Sequence, residues 1–129
     1  MNEDRILDRL DHIRRAATNA MAFMEDYEKD DFFKDERTQQ AVVMSLVIIG
    51  EAATKLVDEN LEFTQDHAEI PWQKMRGLRN RITHGYFDID FNVIWDTVKV
   101  SLPDLLQKIS PICRDMHDER HADEKIGPA

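Results

Sequence analysis

The sequence has one cysteine, four glycines and four prolines in 129 residues, and it lacks a long apolar run. Each scarcity excludes something. The lone Cys113 leaves no intrachain disulfide and fits a reducing compartment. Few glycines and prolines beside 42% hydrophobic and 33% charged residues suit a helical protein and argue against disorder over most of the chain. Glu3, Asp4, Asp8 and Asp11 stand where a signal peptide would be apolar. The longest apolar stretch, Ala41 to Gly50, is interrupted by Ser45 and is too short to span a bilayer. A cytoplasmic, non-membrane protein of one domain and one core is the expectation.

One further scarcity is local. No acidic residue lies between Ile70 and Phe87, although the chain carries a formal charge of −9. Lys74, Arg76, Arg79 and Arg81 give this window +4, which leaves −13 on the remainder. Such an island attracts an anion locally while the rest of the surface repels large polyanions.

Apolar periodicity supplies the elements. Ile6, Leu10, Ile13, Ala17, Ala20, Met24 and Tyr27 recur at intervals of three and four, predicting a first helix over 3–29. Asp30, Asp31 and Asp35 offer N-caps for the next helix. This second helix, over 36–58, is apolar around much of its circumference, which suits a central position or an oligomer interface. Glu51 sits within it, either as an acid on a thin polar face or as a partner for an arginine of the island.

Residues 58–70 read as a connection. Pro71 suits the first turn of a third helix whose buried stripe is Trp72, Met75, Leu78 and Ile82. Gly77 within that helix is expected to permit a close helix approach, and Gly85 to end the helix after His84. A fourth helix starts at an Asp90 cap and is kinked or divided at Pro103, with Pro111 disturbing its end. The expected fold is all-α, an up-and-down bundle of four to five helices over 1–115, with a polar, flexible tail over 116–129.

The island carries the chemistry. Arg76, Asn80 and His84 stand at i, i+4 and i+8 on one stripe, opposite Ile82. Arg79 is about 140° from His84 around the same helix, so a second protomer is one source of the missing partner. Histidine moves a proton near neutrality. Arginine matches phosphate geometry and keeps its charge, while Asn80 orients a ring or holds a phosphate oxygen. Arg76 and Arg81 add phosphate-binding charge. The alternative is a basic helix end favoured by the helix dipole. His117 and His121 have i, i+4 spacing but no acidic cage, so no metal and no cofactor are expected.

Arg79-Asn80-Arg81-Ile82-Thr83-His84-Gly85-Tyr86 resembles the Arg-x4-His-x-Tyr signature of the HEPN superfamily, specifically the HepT-like toxins. Ile48 to Ala53 and Pro71 to Leu78 resemble the same family's helices, and the resemblance covers about residues 3–112. It implies a dimerising all-α bundle and a metal-independent endoribonuclease. Such an enzyme is the toxin of a type VII-like toxin–antitoxin pair. Arg79 and His84 map to the catalytic pair and Asn80 to the polar residue after the arginine. Tyr86 maps to the tyrosine that a nucleotidyltransferase antitoxin modifies with AMP. The implied partners are RNA, that antitoxin, and a second copy in a homodimer or higher oligomer. The alternative within the family is a non-catalytic domain that binds a nucleotide or a nucleotidyltransferase.

Overall fold

The computed structural model describes residues 2–126, and every regular element among them is helical. Helix α1 (Asn2–Phe23) buries Ile6, Leu7, Leu10, Ile13, Ala16, Ala17 and Ala20. It ends six residues before the predicted end of the first helix. A turn comes next, in which Asp26 takes a left-handed φ of 63°, a conformation that a short polar side chain tolerates. Met24 is nevertheless buried and Tyr27 packs on the core, so the stripe continues through a change of backbone direction.

Helix α2 (Lys29–Lys34) is capped at Glu28, whose N–H donates to Asp31 Oδ2 at 2.9 Å. Asp35 caps the central helix α3 (Glu36–Glu59) by accepting from the Thr38 N–H at 3.1 Å. The Tyr27 hydroxyl donates to the same carboxylate at 2.5 Å and the Thr38 hydroxyl at 2.7 Å. These three donors hold the Asp35 carboxyl at about 2, well below its ordinary 3.8; the Tyr27 hydrogen bond contributes most.

Helix α3 packs on α1 along one side and on the later island helix along another, burying Val42, Val43, Leu46, Ile49, Ala53 and Leu56. Its 24 residues are long and apolar enough to cross a membrane by length and composition, which the ten-residue apolar run did not reveal. Half of its most apolar window is buried inside this fold, as the centre of a helical core requires.

The expected connection over 58–70 contains a short helix, α4 (Leu61–Asp66). Pro71 is the N-cap of α5 (Trp72–His84) rather than its first helical residue, and its missing N–H serves equally there. Gly85 ends α5 with its N–H on the Arg81 carbonyl at 3.0 Å, although its φ of −146° is not left-handed. A 3₁₀ turn (Tyr86–Asp88) leads to α6 (Phe91–Asp96), where Asp90 caps by accepting from the Asn92 N–H at 2.9 Å.

Pro103 divides the last helical stretch by a local change of winding. A π segment (Thr97–Ser101) precedes α7 (Leu102–Ile126), and Pro103 falls in the first turn of α7. Widening the helix there relieves the crowding that proline imposes on the preceding turn. Pro111 lies inside α7, which continues past it. The polar segment expected to be a flexible tail is helical through Ile126, because α7 docks on α1. His117 Nε2 lies 3.0 Å from Asp11 Oδ2, and Arg120 donates to Asp4 at 2.9 Å. Residues 127–129 of the expected tail lie outside the described residues.

Candidate functional site

Helix α5 is fixed from its inner face. Trp72, Met75 and Ile82 are buried, and Leu78 is half-buried against them. The Trp72 indole N–H donates to the Thr64 and His67 carbonyls, each at 3.0 Å, and so ties the start of α5 to the end of α4. With α5 anchored, its polar residues are presented at defined places.

The close approach of helices occurs at Gly50 of α3, not at Gly77. A Cβ on Gly50 would stand 2.1 Å from Arg79 Cβ and 2.9 Å from the Met75 carbonyl oxygen. A Cβ on Gly77 would meet nothing within 4 Å. Gly77 instead lines an apolar groove of about 570 Å³ between α3, α5 and α7, with Lys74 and Arg81 among its lining residues.

Arg79 is therefore laid against α3. Its Nε donates to Glu51 Oε1 at 2.5 Å and its Nη1 to Asn80 Oδ1 at 2.5 Å. Of the two readings open for Glu51, the structure selects the arginine partner. Arg76 is half-buried, with Nη2 3.5 Å from Asp58 Oδ1, so part of its charge is already compensated. Arg81 is exposed.

His84 is exposed on the last turn of α5 and has no hydrogen-bond or ion-pair partner among the described residues. No hydrogen bond joins it to Arg79, from which it stands about 140° away around the helix. Tyr86 is 47% exposed in the 3₁₀ turn, with its ring edge-to-face on Phe87, which is 98% exposed. The structure thus brings together Arg79, Asn80 and Glu51, and leaves His84 and Tyr86 open at the end of the same helix.

The arrangement offers a positioned guanidinium, a polar amide and a free imidazole within six residues of one helix. That is a set for binding a phosphate and moving a proton. Among the described residues no group of three or more His, Cys, Asp or Glu side chains is disposed to hold a metal ion. Sequence reasoning missed Gly50. Its signal was a glycine inside an apolar helix, which costs about 1 kcal/mol against alanine and so asks for a packing reason.

Comparison with known proteins bears on the same region. The family model described as "Ribonuclease HepT-like" matches residues 7–112. A Thermococcus cleftensis protein named "Probable ribonuclease HepT" is 36% identical over 105 residues, covering 81% of this chain and 93% of that protein. A candidate RNase of Methanocaldococcus jannaschii is 37% identical over 97 residues, covering 75% of this chain and 78% of that protein. A candidate RNase of Caldanaerobacter subterraneus is 32% identical over 103 residues, covering 80% and 89%. No solved structure matches with significance.

Proposed function

The chain belongs to the HepT-like ribonuclease family, and from that premise we propose that it is a metal-independent endoribonuclease working as the toxin of a type VII-like toxin–antitoxin pair. The observation that carries this reading is the state of the island. Arg79 is held by Glu51 and Asn80, while His84 is exposed and unpartnered at the end of the same helix.

The reaction uses these groups in turn. An RNA phosphate seats against the Arg79 guanidinium, with Arg76 and Arg81 adding positive charge around it. His84 takes the proton of the 2′-hydroxyl as its oxygen attacks the adjacent phosphorus. The 5′-oxygen leaves and takes a proton from the second protomer's His84. The products are a 2′,3′-cyclic phosphate and a 5′-hydroxyl. Arg79 stabilises charge that grows on the phosphorane, a role worth about 3–4 kcal/mol for comparable positioned donors. Proton transfer is worth about 10²–10⁴-fold.

A dimer is part of the proposal because one chain does not join His84 to Arg79. A two-fold arrangement lets each protomer's histidine face its partner's arginine. Tyr86 is the proposed acceptor of AMP from a cognate nucleotidyltransferase antitoxin. Purified protein incubated with total RNA, with and without a chelator, tests the activity. Cleavage that persists in chelator and yields cyclic phosphate ends supports it; intact RNA, or cleavage abolished by chelator, overturns it.

A further inference from the structure

The guanidinium of Arg79 has five N–H donors in a rigid plane. Nε is bound by Glu51 of α3 and Nη1 by Asn80 of its own helix, both at 2.5 Å. Nη2 has no acceptor among the described residues. Two acceptors on different atoms of a planar group remove its freedom to rotate. One of them comes from a neighbouring helix and so fixes the group relative to the whole bundle. The contact exists because Gly50, the residue before Glu51, has no Cβ to push Arg79 away.

The same contact is a poor stability device. Glu51 is 47% exposed and Arg79 23%, and half-exposed ion pairs add little to folding. Asn80 is exposed and sits on the same helix as Arg79, so the contact that ties the guanidinium to another helix is the one with Glu51. We infer that Glu51 is a positioning residue for the proposed ribonuclease site: it holds the Arg79 guanidinium by Nε so that Nη2 and the remaining Nη1 hydrogen are offered to a substrate phosphate.

This rests on the ribonuclease reading and deepens it. In this reading Glu51 acts through Arg79, to which its carboxylate is hydrogen-bonded, rather than on the reacting atoms. An unheld arginine samples other rotamers, and misplacement of a catalytic group by about 1 Å costs on the order of 100-fold.

The test compares Glu51→Ala, Glu51→Gln and Arg79→Ala in the full chain. Glu51→Ala is expected to lower kcat by about 10- to 100-fold, with the melting temperature and the pH dependence of the remaining rate unchanged. Glu51→Gln, which keeps an oxygen for Nε, recovers most of that loss. Binding of a 2′-deoxy oligonucleotide, which cannot be cleaved by 2′-hydroxyl attack, gives a second readout. Glu51→Ala weakens it in the wild-type background and adds nothing in the Arg79→Ala background.

Unchanged or raised kcat in Glu51→Ala overturns the inference, a rise meaning that Glu51 competes with phosphate. Additive binding losses overturn it as well. Wild-type protein that does not cleave RNA overturns the ribonuclease reading alone, and the binding cycle still decides the positioning role.

Discussion

Gly50 and Arg79 share one small volume: a methyl group on the glycine would stand 2.1 Å from the arginine's Cβ. At this contact α3 lies directly against the island residue Arg79 of α5. Cβ and carbonyl atoms cannot move aside as the end of a flexible side chain can. Gly50→Ala therefore forces α3 and α5 apart, at a cost of about 1–3 kcal/mol or more for an overpacked contact. Gly77→Ala has open space and gains about 1 kcal/mol in helix propensity. Thermal melts of the two variants should shift in opposite directions; a shared sign contradicts the packing described.

His84→Ala and Arg79→Ala are each expected to lower RNA cleavage by at least about 100-fold. His84→Ala should melt with the wild type, since the exposed ring has no partner to lose. Arg79→Ala loses a half-exposed ion pair worth about 0–1 kcal/mol, so it also stays folded. Gel-based cleavage assays beside melting curves check both, and full activity in either variant removes that residue from the site.

Assembly is tested at Phe87. A ring that is 98% exposed in the turn just after the island helix, together with an apolar groove of about 570 Å³ along α5, suits a surface covered by a second copy. Phe87→Ser should shift the protein from dimer to monomer by light scattering and cut cleavage in parallel. A wild type that is monomeric at micromolar concentration with full activity contradicts the two-protomer site.

Tyr86→Phe should keep nuclease activity and escape neutralisation by a nucleotidyltransferase antitoxin. On the proposed reading, AMP added to Tyr86, which is 47% exposed just past the end of the island helix, would bring a phosphodiester anion that competes for the arginines proposed to bind substrate. Mass spectrometry after co-expression reads the modification. Neutralised protein with an unmodified Tyr86 refutes it.

Asp35 makes stability depend on pH in a defined window. Its folded value of about 2 lies below the ordinary 3.8, so the stabilisation is fully present above about pH 4. It is lost as pH falls from there through 2. Asp35→Asn should melt below the wild type by a constant margin at neutral pH, and the margin should shrink between pH 4 and 2. A margin independent of pH rules out the carboxylate as its source.

Helix periodicity is a local property, so the sequence determined the all-α class, the burial of Ile6, Leu10, Ile13 and Ile82, and the caps at Asp35 and Asp90. It also marked Arg79, Asn80, His84 and Tyr86 as one cluster, since they lie within eight residues. Reach around a helix is likewise local, and the gap between Arg79 and His84 was legible from residue spacing. What tertiary structure alone decided is which partner each arginine takes. Glu51 lies 28 residues before Arg79, and no spacing rule connects them. They meet because α3 and α5 cross where Gly50 lets the backbones approach. In the same way, which residues of α7 past Met116 meet α1 is a tertiary matter: His117 reaches Asp11 and Arg120 reaches Asp4. These contacts join residues more than a hundred positions apart, which no local periodicity can announce.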